Sequence, residues 1–205
     1  MTSEDFSKAN YTAIISDLHL CEAEPVHPKY PLWKKFKTKE FFFDDEFADF
    51  LNLISSKAKG DKIELVLNGD IFDFDSVTSV PKEAIYKISW LEKIRGLKPR
   101  EERSLYKIDR IIDDHPQFFS ALSDFVKMGN KVIFVIGNHD VELQYKSTQK
   151  AILRSLRLTS AEEGQIRFNE WFYISNQDTL IEHGNQYDPY CVYDDPINPF
   201  VKGYN

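Results

Sequence analysis

Four short apolar runs, each ending abruptly in polar residues, set the rhythm of the chain. Tyr11 to Ser16 (YTAIIS) runs into Asp17, and Ile63 to Leu67 (IELVL) into Asn68, Gly69 and Asp70. Lys131 to Ile136 (KVIFVI) runs into Gly137, Asn138 and His139, and Thr179 to Ile181 into Glu182 and His183. Near-continuous hydrophobicity without strict alternation predicts strands covered on both faces. Between them, apolar residues recur at helical spacing. Phe47, Phe50, Leu51 and Ile54 share one face of residues 44–57, while Ile108, Ile111, Ile112, Phe118, Leu122 and Phe125 mark helical stretches broken near Pro116. Gln165 to Ser175 (QIRFNEWFYIS) reads as a further strand or hairpin region. Strand and helix in alternation predict an α/β layered fold, one domain over residues 1–205, with functional groups beyond the carboxyl ends of the strands. Asp17, His19, Asp70, Asn138, His139 and His183 all fall there.

Two segments depart from this rhythm and are expected to be insertions. Residues 21–39 hold Pro25, Pro28 and Pro31 and then the basic aromatic run Trp33 to Lys37. Residues 77–104 place Trp90 and Leu91 on an expected amphipathic helix ahead of the charged run Lys98 to Arg103. Each is either a cover over a site or a solvated excursion.

Composition narrows the function classes. The chain has 205 residues, 42% of them hydrophobic, and 26 Lys and Arg against 33 Asp and Glu, for a net charge of −7. That balance lacks the basic footprint of a nucleic-acid binder, so a nucleic-acid partner is not expected. A phosphorylated substrate stays compatible, because a bound cation can supply positive charge. Cys21 and Cys191 are too few for a disulfide scaffold, the N-terminus has no apolar leader, and no long uncharged apolar stretch occurs. The expectation is a soluble, cytoplasmic protein, with peripheral membrane contact open to Trp33 to Lys37.

The candidate chemistry lies in the polar residues that end the strands. Divalent cations are held by carboxylates, amide oxygens and imidazoles, and a pair of cations needs a shared oxygen ligand. Asp17 and His19, two residues apart, can point to one side of an extended strand end. Gly69 lets the backbone turn and frees Asp70 to reach inward; Asn138 offers a neutral oxygen and His183 another imidazole. His27 and His115 are expected at the surface. Cys21, a poor ligand for hard cations, is expected in a packing role.

In order, SDLHL (16–20), NGDIFD (68–73), IGNHD (136–140) and EHGNQYD (182–188) resemble the calcineurin-like metallophosphoesterases, over nearly the whole chain. SDLHLCE (16–22) and the His-Gly after the last strand are most similar to the branch containing the UDP-diacylglucosamine hydrolases. The resemblance implies a two-layer sandwich of mixed β-sheets flanked by helices. It also implies two divalent cations, manganese in the first instance, with iron, zinc or magnesium as alternatives. Asp17 and His19 would bind the first, Asp70 would bridge, and Asn138 and His183 would bind the second. His139 would stabilise or protonate the leaving oxygen with Asp140 orienting its ring, and Asp73 would stand behind the ligands. The implied reaction is hydrolysis of a phosphomonoester or phosphodiester, on a small-molecule or lipid-linked substrate, by attack of a metal-bridging hydroxide. The family's closing Gly-His-x-His has no counterpart after His183, and the expectation is a C-terminal truncation. The rival is a catalytically silent binding or regulatory domain. A Rossmann-type nucleotide binder is disfavoured because no Gly-x-Gly-x-x-Gly follows the first strand.

Overall fold

The computed structural model describes residue 6 and residues 9–199. Four strands, β1 (Tyr11–Ile15), β2 (Ile63–Asn68), β3 (Lys131–Val135) and β4 (Ile166–Asn169), form an all-parallel sheet in the order β1-β2-β3-β4. A second, antiparallel sheet pairs β5 (Phe172–Ser175) with β6 (Thr179–Glu182). The six α-helices among the described residues are α1 (Asp44–Ala58), α2 (Trp90–Arg95), α3 (Glu101–Asp114), α4 (Pro116–Lys127), α5 (Lys146–Leu156) and α6 (Ser160–Glu163). This is the expected α/β fold with two sheets and helices.

The period of two in the central strands sorts their side chains between the two layers. Ile63, Leu65 and Leu67 of β2 and Val132 and Phe134 of β3 face the helices and join Phe47, Leu51, Ile108, Phe118, Leu122 and Ile152 in the main core. Val66, Ile133 and Val135 face the other way and close a smaller core with Tyr173 and Ile181 of the second sheet. Both faces of β2 and β3 are therefore covered, as predicted. β1 is not: it lies at the sheet edge, and Tyr11 and Ile14 are half exposed.

A buried carboxylate fastens the two sheets. Glu64 of β2 accepts hydrogen bonds from Thr12 Oγ1 of β1 (3.1 Å) and, on the second sheet, from the hydroxyls of Tyr173 and Ser175. Three donors supply what water would otherwise provide to a fully buried carboxylate.

Pro116 does separate two helices, occupying the first position of α4 where its missing N–H costs nothing. His115, expected at the surface, is instead fully buried at this junction. Its Nδ1 lies 2.7 Å from Asp44 Oδ1 and its Nε2 2.9 Å from the Cys21 carbonyl oxygen, so it ties the start of α1 to the chain leaving β1. Cys21 packs as expected, and burial pushes its thiol up to about 12. The helix expected at Trp90 and Leu91 is a single capped turn and a half with its polarity inverted. Trp90, Leu91 and Ile94 are exposed, while Glu92 is buried against Arg103 at 3.1 Å. The end of the charged run, Glu101 to Arg103, opens α3.

Candidate metal centre

The carboxyl ends of β1, β2 and β3 converge with the end of β6. The order of apolar runs predicts His183 after the fourth strand of one sheet. The structure fills that fourth place with β4, and His183 follows β6 of the second sheet. The site is thus a seam between two sheets.

Beyond their strands the first two loops continue side by side. Asp17 N–H donates to the Gly69 carbonyl (3.1 Å), His19 N–H to the Asp70 carbonyl (2.9 Å) and Leu20 N–H to the Ile71 carbonyl (2.9 Å). Asp17, His19 and Asp70 all adopt left-handed backbone angles, with φ of 58°, 49° and 53°. Such angles are unfavourable for side chains with a Cβ and persist where surrounding structure imposes them. Glycines make the close approach possible. A Cβ on Gly69 would lie 2.4 Å from His183 Cγ, and one on Gly137 would lie 2.3 Å from Asp70 Oδ1.

Asp70 stands at the centre. Its Oδ1 accepts from His139 N–H (2.8 Å), and its Oδ2 lies 3.3 Å from His183 Nε2 and 3.9 Å from His19 Nε2. Burial opposes its charge, yet the partners His183 and His139 overcome that and hold the carboxyl below its ordinary range. His183 Nδ1 faces the Asn68 carbonyl oxygen at 2.9 Å. It therefore donates there and leaves Nε2 turned towards Asp70, the arrangement by which backbone carbonyls orient metal-binding imidazoles. The hydrogen bond to Asp70 raises His183 to about 9 against the opposing effect of burial.

Two donor groups result. Ligand atoms of Asp17, Asp70 and His183 lie within 4.8 Å of one another, and so do those of His19, Asp73 and His139. His19 Nε2 also reaches to 3.9 Å from Asp17 Oδ1, which joins the groups. Asp17, expected beside His19, lies within that 3.9 Å of it and also groups with Asp70 and His183. Asn138 lines an adjacent cavity of about 750 Å³, together with His139, Asp75 and residues between Tyr190 and Pro199. Tyr193 donates to the Asn138 carbonyl at 2.9 Å.

Asp140 does not orient the His139 ring. It is fully buried and its carboxylate accepts from the backbone N–H groups of Gly137 (2.7 Å), Ile71 (2.9 Å) and Phe72 (3.5 Å). Those donors, on two converging loops, would otherwise be orphaned, which is why the side chain turns back under the loop. Burial, with the nearby Asp70 charge, pushes Asp140 up to about 7 despite these bonds. The carboxylate beside His139 is Asp73, whose Oδ1 lies 3.5 Å from Nδ1 and whose Oδ2 lies 3.9 Å from His19 Nδ1. Asp73 is itself held by Ser76, through N–H at 2.9 Å and Oγ at 2.6 Å. Its place between two imidazoles was legible only as the second acid of Gly-Asp-x-x-Asp. The cavity wall at 190–199 carried no sequence signal.

The donor chemistry fits hard divalent cations. Asp17, Asp70 and Asp73 concentrate negative charge in one place, three imidazoles stand among them, and neither group contains a thiol. His139 Nδ1 is buried without a hydrogen-bond partner. A parallel sheet with carboxylates and imidazoles gathered beyond its strand ends defines a metallohydrolase class of site. The description "Calcineurin-like phosphoesterase" matches residues 11–202, and the chain belongs to that family. No curated protein and no solved structure gives a significant match.

Proposed function

We propose that this protein is a phosphohydrolase that uses two divalent cations, manganese foremost, to cleave a phosphomonoester or phosphodiester. The observation that carries the reading is the closeness of two carboxylate and imidazole groups, one holding Asp70 and the other reaching it through His19 at 3.9 Å. Asp17, His19, Asp70, Asn138 and His183 are the proposed ligands. When bound, the metals would acidify water towards neutrality and neutralise phosphate charge, so no covalent enzyme intermediate is needed.

The chain's own residues do the rest. Asp70, buried and ionised, supplies the shared charge. The Asn68 carbonyl fixes the tautomer of His183 and so its ligating nitrogen. His139 is the proton donor to the leaving oxygen, its backbone N–H anchored on Asp70 and its ring beside Asp73. The leaving group is accommodated in the cavity that begins at Asn138 and His139, which no Lys or Arg among the described residues lines.

The test is metal analysis of the purified protein together with hydrolysis of bis(p-nitrophenyl) phosphate in added manganese. Two equivalents of metal with turnover support the enzyme. No bound metal and no turnover mark a silent binding domain instead.

A further inference from the structure

We infer that residues 25–43 form a docking surface for an anionic lipid bilayer, an interaction that does not depend on the proposed chemistry. The segment leaves the site at Cys21 and ends at the N-terminus of α1. It therefore connects the carboxyl end of a parallel strand to the start of its crossover helix, which puts it on the same edge of the sheet as the metal centre.

One of its lysines is buried while most of its large apolar side chains are exposed. At its base Lys37 is buried in contact with Glu22 and Glu24, and Glu22 accepts from Thr78 N–H (2.7 Å) and Ser79 N–H (2.9 Å). The base is thereby fixed to the loop after Asp73. Out from it, Tyr30, Leu32, Trp33, Phe36, Phe41 and Phe43 are exposed, Leu32 by 81% and Trp33 by 65%. Exposing this many large apolar side chains in one short segment is unusual unless something covers them.

Charge selects the occupant. Residues 25–43 carry five lysines and one glutamate, but acids outside the segment pair with three of the lysines, so Lys29 and Lys35 are the cations it offers. Lys37 and Lys34 are paired with Glu24, and Lys39 with Asp114 at 3.6 Å, while Lys35 lies over the Phe41 ring at 5.8 Å. Lys29 and Lys35 are in no ion pair among the described residues. Lysines beside an exposed Trp and Leu match a surface that offers anionic headgroups above hydrocarbon. A single-stranded nucleic acid would use the lysines and rings but leave Leu32, the most exposed of these side chains, in water.

The experiment is co-sedimentation of the full chain with phosphatidylcholine vesicles, with and without about one-third phosphatidylglycerol, at low and high salt. Binding should require the anionic lipid. Leu32→Ser with Trp33→Ser should weaken it by about tenfold or more. Lys29→Glu with Lys35→Glu should weaken it comparably and flatten its salt dependence. Both variants should keep the wild-type melting temperature and metal content. Absence of binding to anionic vesicles overturns the inference. So does equal binding by folded variants, or tighter binding to an oligonucleotide that the same substitutions abolish.

Discussion

Gly69→Ala perturbs the centre at its tightest point. The new methyl would lie 2.4 Å from Cγ, 2.5 Å from Nδ1 and 2.7 Å from Cβ of His183, all far inside contact distance. His183 cannot simply swing aside, because its Nδ1 is held by the Asn68 carbonyl and its Nε2 by Asp70. The backbone adds its own cost, since Gly69 sits at φ +79°, where a residue with a Cβ loses about 1–2 kcal/mol. Overpacking at a constrained site costs about 1–3 kcal/mol, so the total expected is roughly 2–5 kcal/mol in urea unfolding of the metal-free protein. Metal content should fall with it, because the displaced ring is a proposed ligand. The double variant Gly69→Ala/His183→Ala removes the ring part of the clash and leaves the 2.7 Å contact with Cβ. It should be less destabilised than the sum of the singles, with a coupling on the order of 1–3 kcal/mol. Additive effects, or a Gly69→Ala protein that unfolds and binds metal like wild type, would refute the close approach.

Asp70→Asn should lose metal and turnover together, since this carboxylate belongs to one donor group and lies 3.9 Å from His19 of the other; retention of metal with normal turnover sinks the assignment. His139→Ala should keep its metal while kcat falls by about 10²–10⁴, the usual worth of a proton donor; parallel loss of metal would make His139 a ligand. Glu142 is buried 3.8 Å from Lys107, and burial outweighs that cation to raise its carboxyl to about 8. Its contribution to stability is therefore full below the unfolded value near 4.5 and is lost as pH rises through about 8. Thermal melts from pH 5 to 9 should show wild type losing stability relative to Glu142→Gln across that window, and parallel curves would count against it.

The strand ends were legible because burial on both faces writes an unbroken apolar run that polar ligands must interrupt, as at Leu67–Asn68 and Ile136–Gly137. The assignment of His183 to a second sheet was not, because a four-residue strand such as Thr179–Glu182 carries no mark of its partner. Periodicity also misjudged β1, where Ile14 is apolar yet lies at an uncovered edge. Asp140 and His115 show a further limit. Both are polar, and both are buried because backbone or carboxylate partners elsewhere in the chain require them, which only the assembled fold reveals. Trp90, Leu91 and Ile94 failed in the opposite sense, since helical spacing says which residues share a face but not which face turns inward.

The Glu64 fastening has a consequence for how the two sheets behave as bodies. It joins them towards the amino end of β2, whereas Asp70 and His183 meet just past the carboxyl ends of β2 and β6. A cation at the seam would thus act as a clasp opposite a rivet, and its binding energy would include the work of shutting the second sheet against the first. Loosening the rivet, by Glu64→Gln or Tyr173→Phe, should then be felt as weaker metal affinity at a centre that neither residue touches.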